Sequence, residues 1–479
     1  MLRKIRLIGE QKKVLSLSRK GPIYIKGVAG SGKTTIAIYR AMHLLNTESE
    51  LFSEPSIIIF TFNRTLSDYI RSLVDELGLS EIEVTTFHSW AYRFLRNEGF
   101  NLNIINDEEK LEVIDEIKKH YNHKISNKTS RFFAEEFSWI NGNIFINEHD
   151  YVNSTRVGRG SDGRLSKEEK KIVWQMFKKY EEYLKRNKLI DYDYFAMFVL
   201  YAIKKNPNFE PPYTHIIVDE AQDFTKAQML VISKLVSPNT NSITIIADAA
   251  QKIYKTGFAL KDVGINIKGR PLELKKNYRN NAYIAKLASS LLDKEPDDLK
   301  PKYTELEIVN KGGEKPILYI YYDRNEMYRK LIENIKRDIR NRKQIAILHR
   351  SKKGIDELWN VLEKNDINAE MLRVKKIEHI NLDSLDSNYV KLCTMSSVKG
   401  LEFDIVHIVD VNKGMLPYEK ISDDKNDVLH ISTERRLLYT CMTRAREKLY
   451  LYVCGEPSVF INELNTMYMK VIEEDIAPF

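Results

Sequence analysis

Three cysteines in 479 residues, Cys393, Cys441 and Cys454, stand in neither CxxC nor Cys/His metal spacing. A disulfide framework and a structural zinc site are thereby excluded, and a reducing compartment is expected. Long apolar runs are also missing. The longest, such as Ile57 to Phe60, are strand-sized and too short to span a bilayer. The opening MLRKIRLIGEQKK has no apolar core of signal-peptide length, so the expectation is a cytoplasmic protein without membrane contact. Neither a fixed-period repeat nor a low-complexity tail is present. A strong charge of one sign is lacking as well: 75 lysines and arginines against 67 acids leave +8, thinly spread. That balance favours an acidic partner such as nucleic acid only weakly.

What is present is a series of short runs rich in Ile, Val and Tyr: Ile23–Ile25, Ile57–Phe62, Ile216–Val218, Ile243–Ile246, Ile317–Tyr321, Ile345–Leu348, Ile405–Val411 and Leu449–Val453. Helical patterns separate most of them, which predicts α/β domains with buried parallel strands. Residues 96–200 read differently, as a polar helical segment. Its clearest element, Glu168 to Asn187, puts Ile172, Val173, Met176, Phe177, Tyr180, Tyr183 and Leu184 on one face. The length exceeds one core. The reading is a first α/β domain from residues 1–95 and 201–270, a helical insertion over 96–200, and a second α/β domain over 271–479.

Two segments carry chemistry. GVAGSGKTT, from Gly27 through Ala29, Gly30, Ser31, Gly32, Lys33 and Thr34 to Thr35, fits G-x-x-x-x-G-K-S/T between a strand and a helical pattern. Backbone N–H groups of such a loop curl around phosphate, the lysine reaches the β and γ phosphates, and the Thr34 hydroxyl ligates Mg²⁺. HIIVDEAQD places Asp219 and Glu220 at the end of a buried strand. There Asp219 can hold Mg²⁺ through water and Glu220 can orient and deprotonate an attacking water. A lone Asp-Glu pair after a strand is commonly a helix cap. Beside a phosphate loop it reads as the second half of an ATP hydrolysis site.

Taken in order, Gln11 in LIGEQKKVL, the phosphate loop, TFNRTL from Thr61, TTFHSW from Thr85, DEAQD from Asp219, ADAAQKIY from Ala247, NYR at Asn277–Arg279, TMSSVKGLEF from Thr394 and ERRLLYTCMTRA from Glu434 resemble the superfamily 1A helicases of the UvrD, Rep and PcrA kind. The resemblance covers nearly the whole chain. It implies two RecA-like P-loop NTPase domains, with Gln11 reading adenine, Tyr278 stacking on it, Glu402 meeting the ribose and Gly400 beside the nucleotide. It further implies that Gln251 links the γ-phosphate to the nucleic-acid groove and that Arg279 and Arg444 act as arginine fingers. Phe62, Arg64, His88, Trp90 and Tyr254 would line a single-stranded DNA track, where stacking on base faces tolerates any sequence.

The chain departs from that pattern between QIAILHR and TMSSVKGLEF. Only about forty residues lie there, with 351–389 in place of the family's large 2B subdomain. Translocation is therefore better supported than vigorous unwinding. The implied function is an ATP-driven 3′→5′ motor on single-stranded DNA. The alternative is a nucleic-acid-sensing ATPase that regulates a separate nuclease, as compact UvrD-like proteins do in antiphage defence. Stacking and phosphate contacts do not distinguish the sugars, so RNA stays open as a track.

Overall fold

A computed structural model describes residues 7–48, 55–154, 165–248, 258–267, 269, 271–296, 307–341, 343–372, 390–418 and 428–473. Two parallel sheets organise them. The first is built from β1 (Ile23–Gly27), β2 (Ile57–Thr61), β3 (Ile82–Thr86), β4 (His215–Val218), β5 (Ser242–Ala247) and β6 (Leu272–Leu274), in the order β3-β2-β4-β5-β1-β6. Its central strands β2, β4 and β5 are buried along their whole length because both faces are covered. Ile58, Phe60, Ile216 and Val218 point into one core, and Ile57, Ile59, Ile25 and Ile217 into the other.

The helices α1 (Lys33–Glu48), α2 (Arg64–Glu76) and α3 (Phe87–Asn97) belong to this unit. Between β3 and β4 the chain also forms α4 (Asp107–Lys119), α5 (Ser130–Gly142), α6 (Glu148–Asn153), α7 (Lys167–Arg186) and α8 (Phe195–Lys205), and α9 (Lys226–Leu235) follows β4. Helices α4 to α7 close over their own core, in which Phe133, Phe137, Tyr151, Val173, Phe177 and Tyr180 meet. The crossing points of this insertion lie side by side in a parallel bridge, Ile104 with Ile190. Lys110 locks them from within, 2.7 Å from both Asp191 and Asp193. Residues 101–200 hold seventeen lysines and arginines and seventeen acids. Lys118, Lys119 and Arg131 pair with Asp115, Glu116 and Glu135, so this lysine-rich stretch is a balanced, solvated face.

Two short strands, β7 (Lys276–Asn277) and β8 (Glu307–Ile308), form a parallel ladder at the entry to the second unit, which begins its helices with α10 (Ala282–Leu292). The second sheet comprises β9 (Ile317–Tyr321), β10 (Ile345–His349), β11 (Ala369–Met371), β12 (Val390–Thr394), β13 (Phe403–Ile408), β14 (Ala445–Cys454) and β15 (Lys470–Glu473), in the order β11-β12-β10-β13-β14-β9-β15. Helices α11 (Arg324–Arg340), α12 (Lys352–Glu363), α13 (Val428–Met442) and α14 (Val459–Glu463) accompany it.

Each of the eight predicted apolar runs falls on a strand of these sheets, with Ile57–Phe62 and Ile405–Val411 running past the ends of β2 at Thr61 and β13 at Ile408. One boundary moves: β6, placed by the sequence with the second domain, pairs with β1 and completes the first sheet, through Ile25 opposite Leu272 and Gly27 opposite Leu274. Its three residues are too few to show a period. Among the described residues no helix is long and apolar enough to cross a membrane.

Candidate nucleotide site and nucleic-acid face

The phosphate loop leaves β1 and enters α1. Gly30 and Gly32 take φ of +73° and +81°, conformations that L side chains rarely adopt. At Gly30 a Cβ would also sit 2.5 Å from Asn277 Oδ1. Gly27 ends β1, and the Ser31 hydroxyl donates to Val28 O at 2.8 Å. Ala29 turns its methyl into the core cluster that holds Ile284, Met395 and Leu401 of the second unit, so it ties the loop to that unit. Thr35 stands half-buried in the first turn of α1.

Lys33 is buried, its Nζ donating to Gly27 O at 3.2 Å, Val28 O at 3.0 Å and Asp248 Oδ2 at 2.9 Å. The Thr34 hydroxyl donates to Asp219 Oδ2 at 2.9 Å. Burial pushes the Asp219 carboxyl up, and the neighbouring Glu220 adds to this. A fully buried carboxylate facing a hydroxyl is a hard-oxygen pair that fits Mg²⁺ held partly by phosphate oxygens. No group of three or more His, Cys, Asp or Glu side chains suited to a metal occurs among the described residues.

Glu220 sits in the left-handed region at φ +53°. Burial would raise its pKa, but Lys399, Lys33 and Arg444 outweigh it and hold the carboxylate low. Gln222 donates to Glu220 and accepts from Asp248 N at 3.0 Å, joining the ends of β4 and β5.

The second unit closes the site. Gly30, Gly32, Lys33, Thr34 and Glu220 line one cleft together with Arg279, Gly400 and Arg444. Gly400 at φ +88° packs on Leu66, where a Cβ would lie 2.7 Å from Cδ1. Arg444 is buried, its Nε bonded to Thr440 O at 3.0 Å, and burial and Arg279 lower its pKa to about 10. Arg279 pairs with Glu402, and its Nε is buried without a hydrogen-bond partner, an orphaned donor at the edge of the cleft. The Glu402 carboxylate, expected at the ribose, is taken here by Arg279 and by Arg446 at 2.9 Å. Against the cost of burial those two guanidiniums hold it down at about 2.

On the base side, Gln11 Nε2 donates to Ser31 O at 2.9 Å and its Oε1 accepts from Ile8 N at 3.0 Å. Tyr278 N donates to Gly30 O at 3.0 Å, and the Tyr278 hydroxyl, buried without a partner, lies against Gly9. Gln251 and Tyr254 lie outside the described residues.

The expected track residues divide. Phe62 is 36% exposed at the end of β2, and Arg64 is exposed at the start of α2. His88 is half-buried, its ring edge-on to Tyr192 at 5.8 Å. Burial pushes its imidazole below the ordinary value, against the pull of Asp193. Trp90 corrects the sequence reading. It is 5% exposed, its Nε1–H donates to Tyr213 at 2.8 Å, and its ring stacks on Phe94 at 5.1 Å. The ring is core and has no free face for a base. Trp90→Ala is expected to cost about 3–5 kcal/mol in chemical denaturation.

Two residues escaped the sequence reading. Tyr192, 44% exposed beside His88, carried no motif of its own. Lys399 lies inside TMSSVKGLEF, but its partners belong to the other unit: it is buried, pairs with Asp223 and lies 3.4 Å from Glu220. Its carbonyl accepts from Asn63 Nδ2 at 3.2 Å. Lys399→Met would leave two acids buried against a lost cation and is expected to cost about 3–5 kcal/mol, read from the urea midpoint.

Family comparisons agree with this layout. Residues 7–259 match the UvrD/REP helicase N-terminal domain, and residues 272–378 and 369–456 match the UvrD-like helicase C-terminal domain. A probable DNA helicase of Mycoplasma pneumoniae is 23% identical over 97% of this chain and 87% of that protein. The ATP-dependent DNA helicase PcrA of Staphylococcus epidermidis is 26% identical over 74% of this chain and 50% of that protein. PcrA of Staphylococcus aureus is 25% identical over 69% and 46% respectively, so the chain spans about half the length of these PcrA relatives. The chain belongs to the UvrD/Rep family of ATP-dependent DNA helicases.

Proposed function

We propose that the chain hydrolyses ATP with Mg²⁺ in the cleft between its two sheets and couples turnover to movement along single-stranded DNA, 3′→5′ as its family membership suggests. The observation that carries this reading is the shared lining of the cleft: Lys33, Thr34 and Glu220 from the first unit, Arg279 and Arg444 from the second. Catalysis of phosphoryl transfer rests on positioning and charge neutralisation, so a site completed only by closure ties turnover to domain movement.

In this reading Lys33 and the loop N–H groups bind the phosphates, while Thr34 and Asp219 hold Mg²⁺, which supplies charge neutralisation when bound. Glu220, kept ionised by Lys399, accepts a proton from the attacking water. Arg444 and Arg279 stabilise charge on the transferred group. Gln11 and Tyr278 hold the base, and Glu402, once released by Arg279 and Arg446, is free for the ribose. Phe62, Arg64, His88 and Tyr192 offer the strand a stacking and phosphate-binding face.

Steady-state ATP turnover with Mg²⁺, alone and with single-stranded DNA, duplex DNA or single-stranded RNA, tests the reading. Strong stimulation by single-stranded DNA, with displacement of a bound block, supports the motor. Stimulation without displacement favours the regulatory ATPase that serves a nuclease, and stimulation by RNA alone changes the track. Phe62→Ala is expected to raise the strand concentration for half-maximal stimulation about ten-fold, within the range of one lost stacking contact.

A further inference from the structure

Arg40 is a fully buried arginine with no carboxylate partner among the described residues. It lies on α1, two turns beyond Lys33. Its Nη1 donates to Leu17 O at 3.1 Å and its Nη2 to Ser18 O, while Nε has no hydrogen-bond partner. A second arginine, Arg19, lies near enough that both it and Arg40 add to burial in lowering the His43 pKa. Burial lowers the pKa of Arg40 itself to about 10. Burying an unpaired guanidinium is costly, so the two carbonyl bonds are what hold it in place.

Those carbonyls directly follow the 3₁₀ helix Gly9–Ser16, which carries Gln11. That helix lies along α1, with Val14 packed in the same core as Ile36 and Ala37. At its other end both termini of the Gln11 amide are already engaged, by Ser31 O and Ile8 N. One N–H and one lone pair of the amide remain. That is the pattern by which a glutamine amide reads the N6 and N7 edge of adenine, and it discriminates against guanine only while the amide cannot turn.

We propose that Arg40 is a positioning residue for base recognition: by gripping the Leu17 and Ser18 carbonyls it fixes the helix bearing Gln11 to α1, whose first turn faces the phosphates. Base and triphosphate are then read from one rigid body. Arg40 touches neither. The inference rests on the ATP reading above and adds to it the source of base specificity.

The test compares Arg40→Lys and Arg40→Met with the native chain, measuring kcat and KM for ATP and GTP and inhibition by tripolyphosphate. Arg40→Lys keeps the charge but loses the two-pronged grip. The preference for ATP over GTP in kcat/KM is expected to fall about ten-fold, through a higher KM for ATP, as for a lost hydrogen bond to a charged group. Saturated ATP turnover and the tripolyphosphate constant are expected to hold. In a Gln11→Ala background Arg40→Lys is expected to add no further loss of preference, because both changes remove one interaction. Unchanged preference in both Arg40 variants, additive losses in the double variant, or a parallel loss for ATP, GTP and tripolyphosphate with a lower melting temperature would each overturn the role. A native chain that turns over ATP and GTP equally would instead overturn the base-reading assignment of Gln11 on which the inference stands.

Discussion

Arg444→Lys is expected to lower strand-stimulated ATP turnover by about 10³-fold, the lower end of what an arginine finger contributes. The guanidinium is held from three sides: Nε by Thr440 O at 3.0 Å, Nη1 by Leu401 O at 3.4 Å and Nη2 by the Thr443 hydroxyl at 3.5 Å. A lysine at this position keeps the charge but has neither the fork nor the reach to satisfy those acceptors and a phosphoryl oxygen together. The loss should fall on kcat, because the finger acts on charge that develops in the transition state. Single-turnover hydrolysis beside binding of a fluorescent ATP analogue separates the two. A variant with normal kcat and weakened binding would remove Arg444 from the chemistry and leave it as an arginine that braces the end of β14.

The second large effect is expected at Lys33. Lys33→Ala should bring turnover below detection, since the loop then offers only neutral N–H groups to the β and γ phosphates. Lys33 does not stand extended into the cleft. It is turned back on the Gly27 and Val28 carbonyls and on Asp248, so nucleotide must draw it away from that carboxylate. Asp248 N–H is held by Gln222, which also bonds Glu220. The phosphate-binding lysine and the base are thus linked through the ends of β4 and β5. Turnover and nucleotide affinity measured side by side decide the point. Residual hydrolysis at a tenth of the native rate would mean that Arg279 and Arg444 neutralise the phosphates without it.

How much was legible beforehand depended on the range of the interactions concerned. Eight of the thirteen strands in the two sheets were legible because a buried parallel strand needs apolar residues on both faces, and runs such as Ile57–Phe60 satisfy that within four positions. The phosphate loop was legible because its glycines, lysine and threonine act through backbone geometry set within nine residues. The helical insertion followed from one apolar stripe, and α7 buries Val173, Met176, Phe177, Tyr180 and Leu184 along it.

Other assignments depended on what lies across the fold. Trp90 and Phe62 are both aromatics that follow a strand, yet one is packed between Phe94, Phe60 and Tyr213 and the other is exposed. No local pattern separates them, since Trp90 is closed in by Phe60 and by Tyr213, which lies more than a hundred residues away, as well as by its helix neighbour Phe94. Lys399 and Arg40 read as ordinary basic residues until packing buries them, one against Asp223 and Glu220, the other against bare carbonyls. By itself the sequence determined the chemistry on offer, namely a phosphate loop, a buried acid pair and arginines in a distant segment. Only the tertiary structure decided which side chains share a cleft, which are spent on the core and which charges are left without water, because burial and Coulomb forces act through space and not along the chain.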